Sequence, residues 1–359
     1  MFTAQDITVY VPFYKASKTI EACVDSLKKQ SINFGRLLVV DDGSPEPLPM
    51  SLDVECLQHE FNRGLAAARN TALANCQTSL IAAVDADVVV DENWLEKLLE
   101  TLNESDAAGV AGRMDEYYQR NIGDRWRAIH MAQHWGDGVI ENPRFLFGAN
   151  TLYNVAALKA IGGFDERCRT NNEDRTVSEA LYAAGYKLIY NPQVQCYHYK
   201  QDDVTTVLRA YWGWHHAKGV KEGDFKTADG IISRIGRVNF GISQFRYKQD
   251  IDSGRRDLAV MDLLIPLVFC CCDLEFYQRT TKDDIFDLKD LCEQFFPGCD
   301  SLLADLLPTI TGLGASAEWH KHYLNNFMKS LSEFMTIENL KSVDLTSWLH
   351  ENIYMEMGK

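Results

Sequence analysis

Between residues 7 and 102 the chain switches repeatedly between two hydrophobic periods. That alternation limits the folds open to it more than any other feature. ITVYVPFY (7–14), RLLVVDDGS (36–44) and SLIAAVDAD (79–87) are apolar almost throughout and read as buried strands. Helical spacing separates them. SKTIEACVDSLKKQ (17–30) puts Ile20, Val24 and Leu27 on one face, with Ser17 as its N-cap; LAAARNTALANC (65–76) is an Ala-rich helix; Trp94, Leu95, Leu98, Leu99 and Leu102 share the inner face of a third. A strand without a polar face must be covered on both sides. Strand–helix–strand repetition supplies that cover and makes the sheet parallel.

Ligands of such sheets bind beyond the carboxyl ends of the strands. Three of those ends are unusual: Pro12-Phe13-Tyr14, Asp41-Asp42-Gly43-Ser44 and Asp85-Ala86-Asp87. Aspartates at i and i+2 on extended backbone point to the same side. Together they hold a hard divalent cation, Mg²⁺ or Mn²⁺, that bridges to phosphate oxygens; without a cation their burial is unfavourable. A carboxylate of Asp41 or Asp42 either accepts from a nucleobase or ribose, or closes an Asx-type turn. Neither G-x-G-x-x-G nor G-x-x-x-x-G-K-[ST] occurs, so a nucleotide here would depend on a metal in place of a glycine cradle.

The rest of the chain is read more coarsely. Residues 154–166 form a helix closed by Gly162-Gly163. Residues 173–192 form a helix with Val177, Leu181 and Ala184 inward, a Gly185 cap and a strand, and 194–199 continue as strand. From about 240 the pattern is mainly helical. At 359 residues the chain is long enough for one large or two medium domains. A net charge of −15 excludes nonspecific nucleic-acid binding. The ten cysteines include no C-x-x-C, and three are adjacent (Cys270 to Cys272), which points to reduced thiols in a cytoplasm. The apolar run 263–272 is interrupted by Pro266 and falls far short of the roughly 20 residues of a membrane span, so it reads as a core helix.

In order and spacing, VYVPFYKASKTIEACVDSLKKQ, LLVVDDGS, NRGLAAARN, AAVDADVVVDENWLEKLL, GGFDE and NNEDRTVSEALYAAGYKLIYNP resemble the family 2 glycosyltransferases over residues 5 to 200. The resemblance implies an α/β GT-A (nucleotide-diphospho-sugar transferase) fold, with a mostly parallel central sheet flanked by helices and a mainly helical C-terminal region. It implies a catalytic domain over 1–235, divided into a nucleotide-sugar half (1–110) and an acceptor half (111–235), and a helical region over 236–359. It also implies an inverting hexosyl- or N-acetylhexosaminyltransferase dependent on Mn²⁺ or Mg²⁺ and using an NDP-sugar, UDP-sugar above others.

By the same resemblance Asp42 and Asp41 touch the base, Pro12 and Tyr14 line its pocket, and Asn62, Gly64, Arg69 and Asn70, with their helix N-terminus, favour the diphosphate. Asp85, Ala86 and Asp87 meet the ribose and phosphates. Asp85, Asp87 and His198 hold the metal. Of Glu173 and Asp174, Asp174 is the general base. The usual Gly before that pair is Asn172 here. Acceptor contacts are sought among Trp126, His130, His134 and Trp135, and the aromatic stretch 207–224 either stacks on an acceptor or anchors the helical tail. The acceptor is a glycan, a lipid-linked glycan or a protein, in polysaccharide biosynthesis in the cytoplasm, with a place at the inner face of the membrane, peripheral membrane association and homo-oligomerisation all open. A nucleotidyltransferase of the same fold is disfavoured, because VYVPFYKASKTI has no glycine. A non-catalytic nucleotide-sugar-binding module is the remaining alternative.

Overall fold

The computed structural model describes residues 1–281, which fall into two compact units. The first comprises 1–119 and 131–201. The second comprises 120–130 and the described residues from 202 onward. The sequence reading drew the boundary at 235. Segment 120–130 goes with the second unit because its Trp126 and His130 are bonded to Asp262 and Asp250. The expected helical region beyond 281 lies outside the described residues.

In the first unit, strands β1 (Ile7–Phe13), β2 (Arg36–Asp41), β3 (Glu55–Gln58), β4 (Leu80–Val84), β5 (Val88–Val90), β6 (Gly109–Glu116), β7 (Ile140–Glu141), β8 (Asn150–Asn154) and β9 (Leu188–His198) build one sheet. Its order is β3-β2-β1-β4-β8-β6-β9-β5, with β7 beside β9. From β3 to β4 every pairing is parallel. Beyond β4 the sheet is mixed: β8 runs against both β4 and β6, while β6 and β9 are parallel. This is the GT-A architecture the resemblance implied.

Helices α1 (Ile20–Lys28), α2 (Leu65–Asn75) and α3 (Trp94–Asn103) lie where the periodicity puts them. Alternate side chains of β1 enter two different cores. Val9, Val11 and Phe13 pack with Ile20, Val24, Leu27, Trp94 and Leu98. Tyr10 packs on the opposite face with Leu38, Val40 and the alanines of α2. A short turn over Ala16–Thr19 delays α1, so Thr19 stands at its N-cap and Ser17 bonds Glu46 instead.

The second unit contains α4 (Ile122–His130); helices α5 (Val155–Ala160) and α6 (Glu173–Ala183) belong to the first. Then come α7 (Val204–Glu222), α8 (Ala228–Arg234), a π-helical segment over 235–240, α9 (Gly241–Asp252) and α10 (Arg256–Thr281). Helix α10 contains the expected 263–272 helix. No helix among the described residues is long and apolar enough to cross a membrane.

The aromatic stretch 207–224 anchors this unit internally. Trp212 donates to Asp273, and Tyr211 packs near Phe269. His130, Asp250 and Asp262 bring ligand-type atoms within 4.8 Å of one another. Arg255 already donates to Asp250, and Trp126 to Asp262, at 2.9 and 2.8 Å. Burial pushes the Asp262 carboxyl up to about 8. A shared proton and a guanidinium thus balance the charge that a metal would otherwise balance.

Candidate active site

The carboxyl ends of β1, β2 and β4 open into a cleft of about 250 Å³. Pro12 and Tyr14 come from the first strand end, Asp42 from the second, and Asp85, Ala86 and Asp87 from the third. All three strand ends singled out in the sequence therefore meet there, as parallel pairing requires: Phe13 is in register with Asp41, and Tyr10 with Ala83.

The acidic pair occupies a tight turn between β4 and β5, closed by Val88 N–H donating to Asp85 O at 3.0 Å. The sequence suggested extended backbone, but both carboxylates still line the cleft. Each has one internal partner. Asp85 accepts from Arg69 Nη2 at 3.1 Å, and Asp87 Oδ2 lies 3.2 Å from His198 Nε2. His198 Nδ1 is 2.9 Å from Glu116 Oε2.

Burial opposes charge on His198, but the two flanking carboxylates prevail and raise it to about 9. Burial likewise works against ionised Asp87, yet His198 brings it down to about 2. Asp85 is pushed up by burial and by Asp87, with Arg69 opposing. Asp87, His198 and Glu116 thus form a carboxylate–histidine–carboxylate chain. Glu116 can hold the Nδ1 proton, leaving Nε2 beside the Asp87 carboxylate, a carboxylate–histidine arrangement of the kind that supports metal ligands.

Asp42 lines the cleft and is also bonded within the protein. Its Oδ1 accepts from Arg63 N–H at 2.8 Å and lies 2.7 Å from His59 Nδ1. Its Oδ2 accepts from Gly64 N–H and Asn62 Nδ2, each at 2.8 Å. The carboxylate therefore organises the whole 59–64 loop. Asp41 turns the other way, accepting from Ser44 N–H and Gln58 Nε2, and does not line the cleft. Asp42→Ala should leave four donors without their acceptor and lower stability by about 3 kcal/mol or more. Chemical denaturation of the full chain measures it, and Asp42→Asn should lose less.

The residues the resemblance assigned to the diphosphate are also bonded within the protein. The approach to α2 is bonded within the protein: Asp42 takes the N–H groups of Arg63 and Gly64, and Arg169 O takes that of Leu65, the first of the helix, at 2.8 Å. Arg69 is only 1% exposed. It donates to Tyr10 Oη at 3.2 Å and to Asp85, and its Nε is 3.4 Å from Glu173 Oε1. It ties the site together from beneath. Asn70 is not in the cleft; it donates to Phe164 O at 2.9 Å.

Helix α6 begins at the acid pair. Glu173 is buried against Arg69, whereas Asp174 is half-buried and accepts from Arg175 N–H at 2.7 Å and Gly148 N–H at 3.3 Å. Burial raises both carboxyls above their ordinary range, most strongly Glu173, where Asp174 adds to the effect. Asn172 precedes them at φ 71°, ψ 4°, the left-handed region. That explains the departure from the family pattern: a position needing positive φ takes Gly first and Asn next. Asn172→Gly should leave thermal stability equal or slightly higher, and Asn172→Ala should cost about 1 kcal/mol; melting curves of the two variants test this.

Of the other acceptor candidates, Trp126 and His130 are buried inside the second unit. In the first unit, His134 accepts from Gly136 N–H, and Trp135 packs with Phe145 and Phe147. Three residues escaped the sequence reading: His59, Glu116 and Arg169. Only Glu116 carried a signal, as an acid at the end of a strand.

Residues 8–162 match the model of glycosyl transferase family 2. The chain is 31% identical over 249 residues to the pre-mycofactocin glycosyltransferase of Mycobacterium tuberculosis, covering 64% of this chain and 50% of that protein. It is 25% identical over 233 residues to glycosyltransferase GlyA of Streptococcus pneumoniae, covering 59% and 33%. Its identity to the poly-beta-1,6-N-acetyl-D-glucosamine synthase of Staphylococcus epidermidis is 24% over 208 residues, covering 54% and 50%. The chain thus spans at most half the length of these relatives.

Proposed function

We propose, from the match of residues 8–162 to the model of glycosyl transferase family 2, that the protein is a metal-dependent inverting glycosyltransferase. It moves a sugar from an NDP-sugar, with UDP-sugars foremost, to a hydroxyl of a glycan, in the biosynthesis of a polysaccharide or related glycan. One observation carries the reading. Arg69 contacts Asp85 at 3.1 Å and Glu173 at 3.4 Å, so the strand-end acids and the acid pair of α6, far apart in sequence, adjoin one site.

Asp85, Asp87 and His198 would hold a divalent cation, Mn²⁺ or Mg²⁺. When bound, the cation offsets the charge on the departing diphosphate. Glu116 orients His198 for that task. Asp174, held above the usual carboxylate range by burial, accepts the proton of the acceptor hydroxyl. The new bond forms between that oxygen and the anomeric carbon as the bond from this carbon to the diphosphate oxygen breaks. The proton ends on Asp174, and the nucleoside diphosphate leaves with the bonding pair. Glu173 supports Asp174 from within, through Arg69. Pro12 and Tyr14 line the base and ribose end of the cleft.

Incubation with Mn²⁺ and a panel of UDP-, GDP- and TDP-sugars should release nucleotide from one of them, faster when the right acceptor is added. Nucleotide binding with neither hydrolysis nor transfer across the panel would instead favour a binding module.

A further inference from the structure

Given the donor reading of the cleft, on which this rests, we infer that Arg169 is the side chain that grips the donor's diphosphate. The charge balance of the cleft is the starting point. Three aspartates, Asp42, Asp85 and Asp87, line it, and Arg169 is the only basic residue among its lining. A sugar donor brings two further negative charges. One divalent cation offsets the strand-end pair, and the diphosphate then needs a positive partner from the protein.

Of the groups the resemblance offered for this, Arg69 and the loop leading into α2 are engaged elsewhere. The Arg69 guanidinium is buried between Tyr10, Asp85 and Glu173. Just before α2 the N–H groups of Arg63 and Gly64 go to Asp42, and the first N–H of the helix, that of Leu65, goes to Arg169 O. Arg169 itself is exposed.

Its position is nevertheless built. Its carbonyl is fixed by Leu65 N–H at 2.8 Å, and its Nη2 donates to Asn62 O at 3.0 Å. Gly64, at φ 102°, makes room for it: a Cβ there would stand 2.8 Å from Arg169 O. One corner of the guanidinium is thereby anchored, and its other N–H donors are left for phosphate oxygens in a fork that lysine lacks. Arg169 also precedes Asp174 by less than two helical turns of chain, so donor binding and the placing of the base act on one segment.

The test is calorimetry on the full chain with Mn²⁺. It compares the best-bound of UDP, GDP and TDP with the matching nucleoside, which lacks the diphosphate. Arg169→Gln should weaken the nucleoside diphosphate by about tenfold or more while leaving the nucleoside within about twofold. Arg169→Lys should fall between, and the melting temperature should stay near wild type. Diphosphate affinity unchanged in Arg169→Gln, or equal losses for both ligands, would overturn the assignment to Arg169 alone. A wild-type protein that binds no nucleoside diphosphate would overturn the donor reading together with it.

Discussion

Asp87→Ala is expected to abolish sugar transfer, with kcat/KM falling on the order of 10³-fold or more, since on the proposed function it removes a metal ligand and with it several kcal/mol of charge stabilisation on the leaving diphosphate. The structure makes this variant sharper than the matching change at Asp85. Asp87 Oδ2 faces His198 Nε2 at 3.2 Å, and beyond the ring Glu116 lies 2.9 Å from Nδ1. Without Asp87, His198 still has Glu116 as its ion partner, so the fold should survive. Without Asp85, buried Arg69 still has Glu173 and Tyr10, but the link between strand end and α6 is cut.

Nucleoside diphosphate affinity in Mn²⁺ should fall with the activity in Asp87→Ala, whereas metal-free affinity for the nucleoside should hold. Glu116→Gln should show the milder loss of an outer partner, about 10- to 100-fold in activity or metal affinity. Transfer at wild-type rate by Asp87→Ala would refute the metal assignment.

The second large effect belongs to Asp174. Asp174→Asn keeps the shape and an oxygen for Gly148 N–H, but it cannot take a proton. Its kcat should drop about 10²- to 10⁴-fold, with nucleotide affinity within about threefold. Because burial raises the Asp174 carboxyl, wild-type transfer should decline on the acid side at a higher pH than an ordinary aspartate would give. The base acts only when deprotonated, so activity is present above its raised pKa and lost as pH falls through it. Asp174→Asn should lack that limb. Glu173→Gln is the control. Glu173 is buried against Arg69, so its loss should lower stability and disturb Asp174 without removing the acid limb. An unaltered acid limb in Asp174→Asn would assign the base elsewhere.

The strands and helices of the first hundred residues were legible because their signals are local. β1, β2 and β4 are apolar on both faces, and α1 and α3 carry their apolar stripes at helical spacing. Strand ends in a parallel sheet share one edge, so Asp42, Asp85 and Asp87 could be grouped before any contact was known. Ser17 and Thr19 are equally suitable by residue type to cap α1. Only the turn over Ala16–Thr19 chooses between them.

What the sequence alone determined was the sheet, its ligand edge and the acidic residue types gathered there, because periodicity and strand ends follow from neighbours in the chain. Tertiary structure decided which way each charge faces. Asp42 turned inward to hold the 59–64 loop, Arg69 went under the site instead of into it, and the exposed Arg169 came to the cleft from a segment about a hundred residues later. The physical reason is that a buried charge must find its partner wherever the fold supplies one. Such partners are distant in sequence, and no local pattern encodes which donor reaches which carboxylate.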